Sequence, residues 1–358
     1  MELTLEYVWI GGEDTHNDLR SKTRTITIEP IKDITSLTFD QLNSRLDGKI
    51  PDWNFDGSST GQASSESDTE VILKPCCLCL DPFRKGSHNP SLIVLCDCYV
   101  MSSGKLIPHP SNTRVQAAEI FRQLEKEHPW FGLEQEYVLE TSTGRPVGWP
   151  RFTDPEPQGK YYCGNGFGKM FARPVIEEHY QACLYSGLSI SGYNAEAMPG
   201  QYEFQIGPVE GIRAADQLII ARYILARVAE IHGLSVNYSP KPMKGNWNGS
   251  GLHHNYSTEK MRAEGGFSEI MSAVLLLEKK HKEHLMVYGT NNELRLTGSH
   301  ETSSVERFSY GVGTRNTSVR IPNTVKRDGC GYLEDRRCGA NADPYLSTSI
   351  LAQTCAGK

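Results

Sequence analysis

Gly132-Leu133-Glu134-Gln135-Glu136-Tyr137-Val138-Leu139 reads as a β-strand with an unusual load: two glutamates spaced two apart, which an extended chain turns to the same face. Two carboxylates about 4 Å apart repel by on the order of 4 kcal/mol at an effective dielectric of about 20, so the pair calls for a cation. A second pair lies in Ala195-Glu196-Ala197-Met198-Pro199-Gly200-Gln201-Tyr202-Glu203-Phe204-Gln205-Ile206-Gly207-Pro208. There Pro199-Gly200 predicts a reversal that brings Glu196 opposite Glu203. Tyr202, Phe204 and Ile206 form the apolar face of the returning strand, leaving Glu203 and Gln205 to point toward solvent or a site. Either pair alone is compatible with a solvated sheet face; together they favour a site.

His253 falls in Asn246-Trp247-Asn248-Gly249-Ser250-Gly251-Leu252-His253-His254-Asn255-Tyr256-Ser257, a run too polar and glycine-rich for a core. A lone histidine in such a run is more often solvated, but its imidazole is available to a divalent ion. Mostly oxygen donors with one imidazole suit Mg2+ or Mn2+ better than zinc.

Outward from these runs the chain changes character. Before about residue 105 it is β-rich, at Leu5 to Ile10, Thr23 to Ile28, Glu70 to Leu73 and Leu92 to Tyr99, broken by Gly, Pro, Asp and Ser clusters. Ile107-Pro108-His109-Pro110-Ser111-Asn112 is the expected linker. Beyond it strands alternate with helices. One is expected over Val115 to His128 with Ala118, Phe121 and Leu124 as its stripe, and another from Pro174 to Gly187. A third carries Leu218, Ala221, Leu225, Val228 and Ile231, and a fourth runs from Phe267 to Tyr288. The expectation is an α+β chain with domains at 1–106 and 107–358.

Composition narrows the function. The chain has 358 residues, long enough for two cores, and no apolar run that could span a bilayer. A net charge of -6 argues against a nucleic-acid surface, which needs a basic face. The start, Met1-Glu2-Leu3-Thr4-Leu5-Glu6, has neither secretory nor transit-peptide character, so the expected location is cytoplasmic and the ten cysteines are expected to be thiols. Cys76, Cys77, Cys79, Cys96 and Cys98 cluster, but not at zinc-finger spacing, and read as small hydrophobes in buried strands.

Within this acidic chain, Arg295, Arg315, Arg320, Arg336 and Arg337 crowd the last quarter. Guanidinium forks suit carboxylate and phosphate oxygens, which points to a phosphorylated and a carboxylated substrate; the alternative is surface ion pairing with Glu334 and Asp335. Gly164-Asn165-Gly166-Phe167-Gly168 is a weak phosphate-loop candidate, since it is not a Walker loop.

Several blocks, in order along nearly the whole chain, resemble the glutamine synthetase family in its eukaryotic-type, shorter-subunit class. They are Trp53-Asn54-Phe55-Asp56-Gly57-Ser58-Ser59-Thr60-Gly61-Gln62, Trp130 to Tyr137, Asn194 to Pro208, Asn246 to His253, Arg295-Leu296-Thr297-Gly298, His300-Glu301-Thr302, Arg320-Ile321-Pro322 and Gly331 to Arg337. The resemblance implies a β-grasp-like N-terminal domain and a larger catalytic α/β domain with a curved antiparallel sheet. It also implies ATP as co-substrate, two or more Mg2+ or Mn2+ ions per site, and sites between subunits of a homo-oligomer of two stacked pentamers. The implied reaction joins ammonium to L-glutamate through γ-glutamyl phosphate.

Carried onto this sequence, the family's ligands fall on Glu136, Glu196 and Glu203 for one ion and on Glu134, His253 and Glu334 for the other. Arg320 and Arg336 match groups that stabilise the transferring phosphoryl; Arg295 and Arg315 match positions holding glutamate and phosphate. Asn246, Trp247 and Gly249 match the glutamate strip; Trp130, Glu203, Asn255, Ser257, Arg320 and Tyr332 match nucleotide contacts. Asp56, with Ser59 and Tyr162, matches the ammonium site, and Glu301 the flap that shields the acyl phosphate. Departures are a short leader, His254 and Cys338 where a Thr-like residue and a proline are expected, and Tyr202 in place of tryptophan. Two rival readings share the fold: a γ-glutamyl-amine ligase, which Asp56 opposes, and a non-catalytic structural ring, which six retained ligands oppose.

Overall fold

The structure is a computed structural model that describes residues 1–12, 18–66, 68–85 and 89–358. It divides into two compact units, residues 1–116 with 181–188, and residues 117–180 with 189–358.

The first unit is built on β1 (Glu2–Ile10), β2 (Leu19–Thr27), β3 (Trp53–Asp56), β4 (Glu70–Leu80), β5 (Ser91–Ser102) and β6 (Lys105–Pro108). Their order is β2-β1-β5-β4-β3, with β6 hairpinned to β5, so the sheet extends into the start of the expected linker. β1 and β5 run parallel and the other pairs antiparallel. Helix α1 (Phe39–Leu46) starts at a Thr38/Gln41 capping box and buries Phe39, Leu42 and Leu46. Leu42 and Leu46 join Leu3, Leu5, Tyr7, Leu92 and Val94 in one core, an arrangement in keeping with a β-grasp-like unit.

That core also explains the cysteines. Cys96 and Cys98 belong to it together with Leu78 and Leu80, so Cys77 and Cys79 are buried on the opposite face of β4. The two thiol pairs point to different sides of the sheet and all five cysteines are free thiols. Burial pushes the Cys98 thiol up to about 12 and the Cys79 thiol far above its ordinary value, as expected of inert hydrophobes.

The second unit carries eight strands: β7 (Trp130–Glu140), β8 (Ile190–Ala195), β9 (Gln201–Glu210), β10 (Ser235–Asn237), β11 (Leu252–Ser257), β12 (Tyr310–Val312), β13 (Val319–Ile321) and β14 (Leu333–Asp335). The order is β12-β13-β14-β11-β7-β9-β8, with β10 on β7, and all pairs are antiparallel except β12–β13. Its helices are α4 (Arg213–Ile231), α5 (Glu259–Arg262), α6 (Phe267–Lys279), α7 (His281–Leu285), α8 (Asn323–Asp328) and α9 (Pro344–Cys355), while α2 (Thr113–Gln123) and α3 (Arg173–Tyr185) each contribute residues to both units. α4 packs on β7, β9 and β10, and α9 packs on α4, α6 and α7. No helix among the described residues is long and apolar enough to cross a membrane.

Two helix expectations need correction. The helix expected over Val115 to His128 runs Thr113–Gln123 and gives way to a 3-10 turn at Glu125–Glu127, and the buried stripe is Ala117, Phe121 and Leu124, with Ala118 only partly buried. The helix expected over Phe267 to Tyr288 breaks at Lys280 (φ -99°, ψ 12°) and stops at Leu285. Polar tertiary contacts override the pattern there: His281 and His284 both turn inward to Arg337.

Burial holds three imidazoles neutral, His179 and His254 down at about 4 and His284 at about 3. The unfolded chain takes up these protons below about pH 6.5 while the folded chain does not. These three groups should therefore contribute stability that is full above about pH 6.5 and is lost as pH falls toward 4. Urea midpoints at pH 7.5 and pH 5 in wild type and in His284→Gln check the sign, since removing one such imidazole should shrink the loss between the two pH values; an unchanged difference would contradict it.

Candidate active site

The site is set by what the sheet buries behind it. On β7, Gln135 is fully buried, accepts from Arg222 Nε at 2.9 Å and donates to the Ala340 carbonyl at 3.0 Å. Strand alternation then turns Glu134 and Glu136 to the other face. β11 places His253 opposite Glu134, β9 places Glu203 opposite Glu136, and β14, beside β11, adds Glu334. His253 is thus a strand residue only 4% exposed, not a solvated loop imidazole. Glu136, Glu203 and Glu334 are buried as well, which removes the reading of a solvated sheet face.

The turn at Pro199-Gly200 forms, with a different register from the one expected. The connection takes all of residues 196–200, so Glu203 sits opposite Asn194 on β8, and Glu196 donates its backbone N–H to the Gln201 carbonyl at 2.9 Å. Glu196 and Glu203 are diagonal neighbours instead of partners, and both line the same cavity of about 330 Å³. Glu134, Glu136, His253 and Glu334 share its wall with Tyr162, Glu301 and four arginines, Arg295, Arg315, Arg320 and Arg336.

Two groups of donor atoms lie within 4.8 Å of one another: Glu134, His253 and Glu334, and Glu136, Glu203 and His253. The first trio coincides with the one implied by resemblance, whereas the second has His253 where Glu196 was implied. Two of the carboxylates carry a penalty for being charged where they stand. Burial, reinforced by neighbouring glutamates, raises Glu203 well above the usual carboxylate range, and burial with the Glu136 charge pushes Glu196 up to about 8. A divalent cation reverses this penalty, and the oxygen-rich donor set with one imidazole fits Mg2+ or Mn2+. Arg295 Nη2 donates to His253 Nε2 at 3.0 Å, so Nδ1 is the ring nitrogen turned to Glu134 Oε2, 3.2 Å away.

The arginines divide. Arg320 Nη1 reaches Glu334 Oε2 at 2.8 Å and Arg336 Nη1 reaches Glu334 Oε1 at 2.5 Å. These are the ion pairs expected of the alternative reading, but they sit around a buried carboxylate on the cavity wall. Arg295 Nη1 and Arg320 Nε are buried without a hydrogen-bond partner among the described residues, donors suited to an anionic ligand. Arg337 leaves the group: fully buried, it pairs with Asp335 at 2.6 Å on the far side of β14. The glycines are steric necessities. A Cβ on Gly249 would lie 2.4 Å from the Pro240 carbonyl, and one on Gly251 would lie 2.4 Å from Arg295 Nη2.

A second cavity of about 530 Å³ shares Glu134 and Gln205 with the first. Trp130, Asn255, Ser257 and Tyr332 line it, with Ile206, Pro208 and Arg262. The Arg262 guanidinium stacks 4.0 Å from the Trp130 ring centroid and donates to Ser257 Oγ at 3.0 Å. Sequence reasoning missed Arg262, which ends a four-residue helix with no periodic signal, and Asn248, which lines the first cavity beside Gly249.

Other expected residues lie elsewhere. Asn246 is exposed and Trp247 packs on Trp149 at 4.9 Å between ring centroids, so neither lines the cavity. Residues 164–168 line neither cavity. Asp56 and Ser59 belong to the first unit, both exposed. Hydrogen bonds from the Ser58 hydroxyl at 2.7 Å and its N–H at 3.0 Å hold the Asp56 carboxyl below its ordinary range, ready as an anion.

Comparison with known proteins accords with this geometry. The family described as "Glutamine synthetase, catalytic domain" matches residues 113–357. "Glutamine synthetase cytosolic isozyme 1-1" of Oryza sativa subsp. japonica is 49% identical over 99% of this chain and 94% of its own. "Glutamine synthetase cytosolic isozyme 1-3" of Arabidopsis thaliana is 48% identical over the same shares. "Glutamine synthetase" of Kluyveromyces lactis is 50% identical over 98% of this chain and 88% of its own. A cavity that gathers carboxylates and arginines with His253 and His300, in a chain matched over nearly its whole length by these relatives, places the chain in the glutamine synthetase family.

Proposed function

We propose that this chain ligates ammonia to the γ-carboxylate of L-glutamate, using ATP and passing through γ-glutamyl phosphate, to give L-glutamine, ADP and phosphate. The observation that carries the reading is the pair of cavities meeting at Glu134 and Gln205. The larger has an aromatic and apolar wall suited to a nucleobase, and the smaller a highly charged wall suited to phosphates and an amino acid.

Glutamate is a poor acyl donor until its γ-carboxylate attacks the γ-phosphate of ATP, and that step concentrates negative charge where the arginines converge. Arg320 and Arg336, both braced by Glu334, stabilise the transferring phosphoryl, while Arg295 and Arg315 hold glutamate and phosphate oxygens. Glu136, Glu196 and Glu203, and Glu134, His253 and Glu334, would hold two divalent ions, which when bound neutralise and orient the phosphates. Trp130, Asn255, Ser257 and Tyr332 seat the nucleotide; of the expected glutamate strip only Gly249 lines the cavity, with Asn248 beside it.

Asp56, with Ser59 and Tyr162, binds ammonium and takes its proton. Asp56 acts from a neighbouring copy in a homo-oligomer, proposed as two stacked pentamers. The cytoplasm is the proposed location, in line with the relatives named cytosolic.

Glu301 guards the acyl phosphate. It lines the cavity, its backbone carbonyl accepts from Arg336 Nη2 at 3.3 Å, and its carboxylate lies 3.8 Å from Arg315. Glu301→Ala should keep ATP binding and release phosphate in excess of glutamine by about twofold or more, as water reaches the intermediate; unchanged coupling would remove that role. The whole reading is tested by phosphate release with ATP, Mg2+ and glutamate, with and without ammonium, while glutamine is quantified. Ammonium-dependent phosphate matched by glutamine supports it. Turnover that ignores ammonium and responds to amines contradicts it, as does no turnover at all.

A further inference from the structure

Gln158 lies in the irregular stretch between β7 and α3, just ahead of a segment pinned beside Glu196. Gly159 donates its N–H to the Ala197 carbonyl at 3.0 Å and Cys163 donates to Ala195 at 2.9 Å. With the backbone fixed there, the half-buried Gln158 amide reaches two other segments at once. Its Oε1 accepts from the Asn248 N–H at 2.7 Å, and its Nε2 lies 3.1 Å from His300 Nδ1.

The chemistry of these contacts leaves one solution. A backbone N–H only donates, so the atom facing Asn248 is the amide oxygen, and the amide nitrogen facing His300 can only donate. His300 Nδ1 therefore accepts, and the ring is neutral with its proton on Nε2. The surroundings agree: partial burial and the Lys241 charge both move His300 below its ordinary pKa.

His300 needs a hold. His300 and Glu301 have φ of 55° and 62°, left-handed values that cost free energy for residues with a Cβ and persist only under external constraint. Arg336 and Arg315 constrain Glu301 from the anion-binding wall. Gln158 constrains His300 from the Asn248–Gly249 side of the cavity.

We infer that Gln158 is a positioning residue, a two-sided latch that ties the Asn248 strip to His300 and so holds the flap bearing Glu301 at the cavity. It acts through Glu301 and touches no reacting atom; the inference rests on the ligase reading above for its effect on turnover.

The test combines hydrogen exchange of the flap peptide 297–305 with the ratio of glutamine to phosphate in wild type, Gln158→Ala, His300→Ala, the double variant and Gln158→Glu. Loss of one latch bond should speed flap exchange about threefold to tenfold in Gln158→Ala. The glutamine-to-phosphate ratio should fall, with KM for ATP unchanged. His300→Ala should reproduce this, and the double variant should add nothing further, because both changes remove the same link. In Gln158→Glu the carboxylate accepts from Asn248 and requires a proton on His300 Nδ1, so coupling should improve toward pH 6 and worsen toward pH 8, a tilt absent from the wild type.

Unchanged flap exchange in both single variants, or additive effects in the double variant, would overturn the latch. Should wild type make no glutamine, the ligase reading fails while the exchange comparison still decides the latch. One-to-one coupling in wild type with unaltered variants sinks the latch alone.

Discussion

Replacing Glu334 with alanine should lower kcat/KM by on the order of a thousandfold, together with a large loss of Mn2+ affinity. Glu334 is the hub of the cavity. One of its oxygens accepts from Arg336 and the other from Arg320, and its carboxylate lies 3.9 Å from His253 Nδ1. Removing it takes away one member of the first donor trio and frees two guanidiniums that Glu334 holds at the cavity wall, where the proposed reading has the phosphoryl group transferred. Glu334→Gln separates charge from shape. It keeps the side chain's volume and an acceptor oxygen, so the sheet should remain intact while metal affinity still falls. Mn2+ titration and steady-state kinetics on both variants check this; Glu334→Gln retaining wild-type activity would show that the carboxylate charge is not part of the site.

The second large effect belongs to a residue that touches no ligand. Arg337→Met should destabilise the chain by about 3–5 kcal/mol, the usual cost of leaving one member of a buried ion pair alone. Arg337 and Asp335 are both fully buried; Arg337 Nε donates to Asp335 Oδ1 at 2.9 Å and Nη2 to Oδ2 at 2.6 Å. The Tyr288 hydroxyl also donates to Asp335, at 2.8 Å, and His284 bridges Tyr288 to Thr354 on α9. Arg337→Lys keeps the charge but not the fork and should fall between. Asp335→Leu added to Arg337→Met should recover part of the loss, because the stranded carboxylate is gone. Urea midpoints measure these three and Asp335→Leu alone; a double variant whose loss is the sum of the two single losses would contradict a coupled pair.

Glu334 and Asp335 show what a sequence discloses and what it hides. Adjacent in β14, they face opposite sides of the sheet, so one arms the cavity and the other anchors the strand. Alternation revealed the same logic in β7, where Glu134-Gln135-Glu136 reads correctly because period two is a local property. The five arginines could not be sorted locally: Arg336 and Arg337 are neighbours, and only the pairing of β13, β14 and β11 sends the first to the cavity and the second to the core. His253 was misjudged for a related reason. Its glycine-rich surroundings resemble a loop, whereas pairing with β7 makes the following residues a central strand. Glu196 lines the cavity in a register other than the one expected, since Pro199-Gly200 marks a turn without fixing how many residues the connection uses. The break at Lys280 arises from contacts of His281 and His284 with Arg337, more than fifty residues along the chain, beyond the reach of any helical pattern.

The most direct measurement follows oxygen. With glutamate labelled by 18O in its γ-carboxylate, one turnover through γ-glutamyl phosphate moves one labelled oxygen into inorganic phosphate, because the carboxylate oxygen that attacks ATP leaves with the phosphoryl group. Ammonium-dependent phosphate should carry one 18O for each glutamine formed. Unlabelled phosphate accompanying glutamine would mean that the carboxylate is never phosphorylated, and would contradict the proposed reaction.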